Sequence, residues 1–267
     1  MKPSLAATGL AALWLAACAQ TPPRDLPTLL ARTQPTPLLL VGEQHDAPEH
    51  QQLQRELVQA LATRGELAAV VMEMAEAGRD TRALPRDASE DAVRQALAWD
   101  QGANWPWPVY GPVVMAAVRA GVPVLGGNLP RARMREAMAD TALDQSVGAP
   151  ALDRQRAAVR EGHCDLLPDS QIAPMTRIQL ARDRSLADTA LQALAPGRTV
   201  LLIAGNGHVR TDIGVPLHLP AGQARRVVVA RAGAGAAGAD APGDVVWPTP
   251  ALPERDHCAG LRERFKR

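Results

Sequence analysis

Two short stretches of the chain share the pattern Gly-x-x-His, and each follows an apolar run that is typical of a buried strand. The first runs from Gly42 to His45 and contains Glu43, and the second runs from Gly205 to His208. Imidazole and carboxylate groups can bind a divalent metal, or can transfer protons as general acid and base. Glycine would allow tight turns in which backbone N–H groups face the same place. The repetition favours one shared site over two unrelated loops.

A further carboxylate, Glu73, stands near the end of the apolar run 67–74. It would be buried there, and a buried carboxylate needs a partner. Asn128 directly follows a third apolar run. Ligands bind beyond the carboxyl ends of the strands in open α/β sheets. If these strands are parallel, two imidazoles, two carboxylates and an amide surround one crevice.

Other polar residues near the first pattern have simpler explanations. Asp46 is expected to cap the following helix, just ahead of Pro48 in its first turn. Glu49 and His50 fall in that same turn, where a solvated helix face is the ordinary outcome. We therefore expect Glu43 and His45 to face the crevice and the other residues to lie outside it.

The elements that must position these residues alternate between short apolar runs and helical patterns. This alternation predicts an α/β fold with a mainly parallel central sheet flanked by helices. Strands are expected at 37–42, 67–74, 122–127, 198–205 and 225–231, with a short edge strand at 245–247, and helices at 48–64, 88–98 and about 111–120. The segment of about 130–196 is helical in pattern and predicts a helical excursion between strands.

Length and charge exclude one class of function. The chain has 267 residues, enough for one large domain, with 29 basic and 28 acidic residues and a net charge of +1. Such a balance lacks the basic surface that nucleic-acid binding requires, so no nucleic acid is expected as a partner.

The N-terminus predicts export. Residues 1–17 read as a signal peptide with Lys2 before an apolar run that is too short to span a bilayer. The run ends in LAAC, which resembles a bacterial lipobox and predicts lipidation of Cys18. An ordinary signal peptide with a chance cysteine is the alternative. We expect a proline-rich tether over 18–36, a single domain over 37–267, and an outer-membrane lipoprotein in the cell envelope that faces the periplasm.

Export gives a role to the two remaining cysteines, Cys164 and Cys258. In an oxidising compartment, two thiols left after lipidation suggest one disulfide, which would tie the C-terminal tail to the middle of the chain. Two free thiols are the alternative.

Five motifs in order make the chain similar to the ChaN family of iron-regulated lipoproteins, within the Tiki/TraB superfamily. They are LLLVGEQHD, VVMEM, WPVYGPVV with AGVPVLGGNLPR, EGHCDLLP with RIQLARDRSLA, and LLIAGNGHVRTDIGVP, spread over about 36–231. The resemblance implies a haem-binding protein linked to iron uptake, with haem between two subunits. It makes haem, the lipid bilayer, a second copy of the chain and an outer-membrane receptor the candidate partners.

Aromatic residues favour the haem hypothesis. Four of the six aromatic residues that follow the signal peptide fall within 99–110. A planar macrocycle needs flat apolar contacts, which Trp105 and Trp107 could give. Tyr110 is a candidate axial ligand because a phenolate can bind ferric haem. Alternatively, the tryptophans fill a hydrophobic gap under a helix.

Two further residues complete the haem hypothesis. His163 is a second candidate axial ligand, and Arg131 could pair with the propionates, with Arg133 and Arg135 as alternatives.

The alternative function is a metal-dependent, peptidase-like hydrolase, since the wider superfamily includes peptidases that use two G-x-x-H motifs and a glutamate. His45 and His208, with Glu73, would then hold a divalent metal such as zinc and leave one position open for water. Glu43 or Glu73 would serve as the third ligand or as the base. A metal-free version uses Glu73 and a histidine as acid and base. A binding protein with a vestigial crevice is the third class.

Overall fold

Six apolar segments form a single sheet in the computed structural model, which describes residues 25–99, 105–233 and 245–265. The strands are β1 (Leu38–Glu43), β2 (Leu67–Glu76), β3 (Val124–Asn128), β4 (Thr199–Gly205), β5 (Arg226–Ala232) and β6 (Val245–Thr249). Their order across the sheet is β3-β2-β4-β1-β5-β6, and every neighbouring pair is parallel. The predicted α/β fold with a parallel central sheet is confirmed.

Helices cover both faces of the sheet. They are α1 (Leu26–Thr33), α2 (Pro48–Thr63), α3 (Glu90–Ala96), α4 (Trp107–Arg119), α5 (Met134–Ala139), α6 (Ala149–Gly162), α7 (Asp169–Gln192), α8 (Asn206–Val209) and α9 (Ala259–Phe265). Successive residues of β1 point to opposite faces, so Leu39 and Val41 pack in the cluster with α2 and α4, while Leu38 and Leu40 pack in the cluster with α7. Strands buried on both faces in this way are typical of parallel sheets.

The register of the central strands positions the two Gly-x-x-His patterns. β1 pairs with β4 so that Glu43 lies opposite Gly205 and Gly42 lies opposite Ala204. Both strands therefore end at the same level, and the chain leaves each of them at the same edge of the sheet.

The helical excursion over about 130–196 contains α5, α6 and α7, as its sequence pattern predicts. One boundary in the aromatic region differs from the prediction. α4 begins at Trp107 rather than near residue 111, because a proline fits the first turn of a helix, where its missing N–H costs nothing.

The tether predicted over 18–36 extends too far toward the C-terminus, because part of it is helical in the structure. Residues 26–33 form α1, which begins after an Asp25 cap whose side chain accepts a hydrogen bond from the Thr28 N–H at 2.8 Å. Leu29 and Leu30 of this helix are buried in the core. The folded domain therefore includes this helix and does not begin at residue 37.

The predicted signal peptide, the lipidation site Cys18 and the first part of the tether lie outside the described residues. Within the described ranges, no helix is long and apolar enough to cross a membrane.

Candidate functional site

The carboxylate of Glu43 lies at the centre of a buried hydrogen-bond network at the end of β1. Its Oε1 accepts from the Tyr110 hydroxyl at 2.6 Å and from Nδ1 of His45 at 2.7 Å. Its Oε2 accepts from Nε2 of Gln51 at 2.7 Å and from Nε2 of Gln54 at 2.5 Å. Four donors satisfy the carboxylate, which compensates for its removal from water.

His45 is the member of this network that reaches solvent, with 41% of its side chain exposed. Its ring lies 4.6 Å from the ring of Trp105, tilted by 58°. Burial alone would lower the pKa of His45, but the hydrogen bond to Glu43 and the charge of Glu73 raise that pKa above its ordinary value. A histidine whose Nδ1–H donates to a carboxylate has a fixed tautomer and presents Nε2 to a ligand or a proton.

A second network joins Glu73, His208 and Asp183. Nδ1 of His208 donates to Oδ1 of Asp183 at 2.6 Å, and its Nε2 lies 3.5 Å from Oε1 of Glu73. Oε2 of Glu73 accepts from the Gly205 N–H at 2.8 Å. The buried carboxylate of Glu73 therefore has the partners that its position demands.

The charges in this second network depend on one another. Burial alone would lower the pKa of His208, but the charges of Glu73 and Asp183 and the hydrogen bonds to them raise it to about 10. Burial alone would raise the pKa of Glu73, but the charge of His208 and its hydrogen bonds lower it to about 2. Burial, only partly offset by His208, raises the pKa of Asp183 to about 6. His208 is therefore a buried cation held between two carboxyl groups.

Two glycines allow these networks to approach each other. A Cβ atom on Gly205 would lie 2.9 Å from Nε2 of His45 and 3.5 Å from Oε2 of Glu73. A Cβ atom on Gly42 would lie 2.4 Å from both Oδ1 of Asn206 and Cγ2 of Val209. Each glycine thus lies in close contact with the other Gly-x-x-His segment.

The corner after β1 differs from expectation at two residues. Asp46 does not cap α2, because the N-cap is Ala47, which makes no side-chain capping bond. His50 is fully buried rather than solvated. Its Nδ1 accepts from the Gln44 N–H at 2.9 Å, and its Nε2 lies 3.0 Å from Oγ1 of Thr249. His50 therefore ties the corner to β6.

The aromatic residues divide between the core and the crevice. Trp107 lies in an edge-to-face contact with Trp99, 5.2 Å between ring centroids, and its Nε1 donates to Glu90. Tyr110 is 1% exposed and donates to Glu43. Burial and the neighbouring charge of Glu43 raise the pKa of Tyr110 far above its ordinary value, so the phenol keeps its proton. An iron bound to Tyr110 would require this hydroxyl to leave Glu43.

Trp105 is the aromatic residue that borders a cavity at the carboxyl edge of β2 and β3. The cavity measures about 320 Å³ and also contacts Glu73. Arg131 lines it as well, whereas Arg133 pairs with Glu136. A second cavity of about 600 Å³ lies on the other side of the corner, between α2 and α4, and is bordered by His45.

His163 lies apart from both networks. It caps the C-terminus of α6, and its Nδ1 lies 2.8 Å from the carbonyl oxygen of Val159. The next residue, Cys164, forms a disulfide with Cys258, 94 positions further along the chain, with 5.8 Å between the Cα atoms.

The geometry does not support a zinc site. Within residues 25–99, 105–233 and 245–265, no group of three or more His, Cys, Asp or Glu side chains could hold a metal ion. Nδ1 of His208 donates to Asp183 and its Nε2 lies 3.5 Å from Oε1 of Glu73, so both nitrogens of this imidazole face carboxylates.

Sequence reasoning missed three members of the site. Asp183 stands between two arginines, which suggests a solvated helix face, yet it follows the buried positions Thr176 and Leu180 at helical spacing. That spacing is the signal that identifies it. Gln51 and Gln54 are buried polar residues of α2, one turn apart, and both donate to Glu43.

Comparison with known proteins places this arrangement in a family. The family model described as "Haem-binding uptake, Tiki superfamily, ChaN" matches residues 29–219. The sequence matches none of the proteins whose functions have been curated.

A solved structure shares the fold. ChaN of Campylobacter jejuni, solved with cofacial haem, is 22% identical, with a TM-score of 0.64 over 76% of this chain and 84% of that one. The type III effector HopBA1 is 16% identical, with a TM-score of 0.47 over 87% of this chain and 97% of that one. A mutant of the erythromycin esterase EreC in its open conformation is 13% identical, with a TM-score of 0.45 over 77% of this chain and 72% of that one. The last two similarities are too weak to support a conclusion. Since the family model covers most of the described domain, the chain belongs to the haem-binding uptake family ChaN of the Tiki superfamily.

Proposed function

We propose that this protein binds haem at the carboxyl edge of the sheet, against His45 and Trp105. The observation that carries the proposal is the contact between these two rings, whose centroids are 4.6 Å apart, with one cavity bordered by His45 and another bordered by Trp105. Family membership indicates haem as the ligand. Trp105 provides a flat aromatic surface beside the exposed imidazole of His45.

The donor set fits haem. Nδ1 of His45 bonds to the buried Glu43, and a carboxylate in this position orients a metal-binding imidazole and increases its basicity. The cavity beside Trp105 is lined by the apolar residues Met74, Leu97 and Met134, which suit a macrocycle. When bound, haem supplies a redox-active iron. The residues of this chain would bind and orient the haem, and His45 rather than Tyr110 would hold its iron.

An absorption titration tests this proposal. Hemin added to the mature protein should give a Soret shift that saturates at a fixed ratio. His45→Ala should lower the affinity by roughly tenfold or more, because the imidazole that would hold the iron is lost. His257→Ala is the matched control, since His257 is exposed on the C-terminal segment. The absence of any Soret shift in the unmodified protein would contradict haem binding. An unchanged affinity of His45→Ala would contradict the role of His45 in holding the iron.

The cellular role extends the proposal. The chain is a lipoprotein anchored through Cys18, it faces the periplasm from the outer membrane, and it takes part in haem or iron uptake, with haem held between two copies. The lipobox-like LAAC sequence supports the anchor. Cys18→Ser should release the protein from the membrane fraction. Sedimentation with and without hemin should reveal a haem-dependent dimer, and a monomer in both conditions would contradict shared binding.

A second candidate function is a metal-free hydrolase, favoured by one observation. His45 is exposed and its Nδ1 donates to the buried Glu43, which is the arrangement that orients a general base toward water. His208 is a poorer base because its pKa of about 10 keeps it protonated at neutral pH. Chromogenic esters and peptides provide the test, with His45→Ala and a chelator as comparisons. Turnover that resists the chelator and disappears in His45→Ala would support this function.

A further inference from the structure

The cavity beside Trp105 carries a group of positive charges that no carboxylate in the described structure pairs with. Arg79, Arg131 and Arg182 all line it. In the described ranges, none of these three side chains makes a hydrogen bond or an ion pair. The nearby arginines on the adjoining surface behave differently, because Arg82 pairs with Asp80 and Arg133 pairs with Glu136.

Arg182 is the most informative of the three. It lies on α7 next to Asp183, and its Nε atom is buried without a hydrogen-bond partner. Its charge acts on Asp183, yet that carboxylate hydrogen-bonds to His208 instead. A guanidinium donor removed from water without an acceptor is unfavourable, so this group is expected to find its acceptor in a bound molecule.

The carboxylates that line the cavity do not accept hydrogen bonds from these arginine side chains. Glu73 is held by the Gly205 N–H and by His208 behind it. Glu76 accepts from the backbone N–H of Arg131. Three guanidinium groups therefore face two carboxylates that already have partners, and the cavity has an excess of positive charge.

We infer that Arg182 and Arg131, assisted by Arg79, form a carboxylate-binding subsite whose ligand is amphipathic. Guanidinium groups bind carboxylates through planar, charge-assisted hydrogen bonds. The apolar wall of Trp105, Leu97 and Met74 next to them would contact the rest of the ligand. This inference rests on the proposed function, and within it the subsite holds the propionate groups of haem, with Arg182 as the principal contact.

The first experiment compares hemin with its dimethyl ester, which keeps the macrocycle and iron but lacks both carboxylates. The unmodified protein should bind hemin about tenfold or more tightly than the ester, since hydrogen bonds to charged groups are worth that much. Arg182→Gln and Arg131→Gln should each remove most of this preference. Arg184→Gln is the matched control, because Arg184 is exposed on the same helix beside Asp188 and does not line the cavity.

Equal losses of affinity for hemin and ester in Arg182→Gln would mean a structural role and would overturn the inference, as would an unchanged preference. Arg131→Gln guards against misfolding, since Arg131 is exposed. If neither porphyrin binds the unmodified protein, the haem proposal fails, and succinate then tests the subsite alone. Succinate should raise the Tm of the unmodified protein and of Arg184→Gln but not of Arg182→Gln. A succinate effect that does not depend on Arg182 would overturn the subsite as well.

Discussion

Nδ1 of His208 lies 2.6 Å from Oδ1 of Asp183, a carboxyl group that is completely buried on the inner face of α7. The other oxygen of Asp183 has no hydrogen-bond partner among the described residues. This contact therefore supplies the main compensation for burying the acid, and it joins the helical excursion to the segment that follows β4. The second Gly-x-x-His pattern is thus part of the internal structure, whereas the first reaches solvent through His45.

Asp183→Ala should strongly destabilise the protein. His208 would keep Glu73 but lose the shorter of its two carboxylate contacts, so the buried cation would be only partly compensated; breaking a buried pair costs about 3–5 kcal/mol of unfolding free energy. Denaturant unfolding measures this loss. Asp188→Ala, on the exposed side of the same helix, is the control and should change stability by less than about 1 kcal/mol. Similar small effects of both substitutions would contradict the role given to Asp183.

The contribution of His208 to stability should disappear in alkaline solution. Its pKa is about 10 in the folded protein, compared with an ordinary value of 6.5, so the folded state binds its proton more tightly than the unfolded state does. The stabilisation is complete below pH 6.5 and is lost as pH rises through 10. Glu73 and Asp183 titrate at lower pH, at about 2 and about 6.

The measurement is the free energy of unfolding from pH 6.5 to 10, for the unmodified protein and for His208→Gln. The difference between the two curves should shrink steadily over this range. Taking the difference cancels the pH dependence that groups common to both proteins, such as Tyr110, contribute to the free energy of unfolding. A constant difference would mean that His208 is neutral in the folded protein.

The two close-contact glycines should respond differently to alanine. Gly42→Ala places a methyl group 2.4 Å from the side chains of Asn206 and Val209, and overpacking of this kind costs about 1–3 kcal/mol. Gly205→Ala meets the half-exposed His45 ring, which can move away at little cost to stability. We expect a lower Tm for Gly42→Ala and weaker hemin binding for Gly205→Ala. A lower Tm for Gly205→Ala together with weaker hemin binding for Gly42→Ala would contradict these contacts.

Breaking the Cys164–Cys258 disulfide should loosen the C-terminal segment more than it destabilises the domain. A closed loop of about 100 residues would give about 4.7 kcal/mol by chain entropy alone. Much of the described segment after β6 is exposed, so the native tail also gains freedom when it is released. We expect a smaller stability loss for the Cys164→Ser/Cys258→Ser double variant, together with faster proteolytic cleavage after residue 250. Unchanged cleavage would show that other contacts hold the segment.

The sequence predicts the sheet and its carboxyl edge well, for a physical reason. Strands buried on both faces appear as continuous apolar runs, and the residues that end these runs must meet if the strands are parallel. Glu43, His45, Glu73 and His208 come together in the structure on that basis.

The roles within the site could not be predicted, because they depend on contacts between distant positions. Tyr110 is conspicuous as the only tyrosine, but its bond to Glu43, 67 positions away, depends on how α4 packs beside α2. His50 falls in the first turn of a helix, and its contact with Thr249 of β6, 199 positions away, cannot be read from the local pattern. The three arginines of the cavity come from separate segments, so no local pattern connects them.

The strand order also has a consequence for how the chain acquires its structure. β1, near the beginning of the domain, pairs with β4 and β5, whose residues lie more than 150 positions later. The central β4–β1 pair therefore cannot form until about residue 205 is available, and β5 joins it only at about residue 229. Proteins dominated by such non-local pairing fold slowly, since the entropy of closing long loops is lost before the contacts form. Folding of this domain should thus be limited by the late arrival of its central strands.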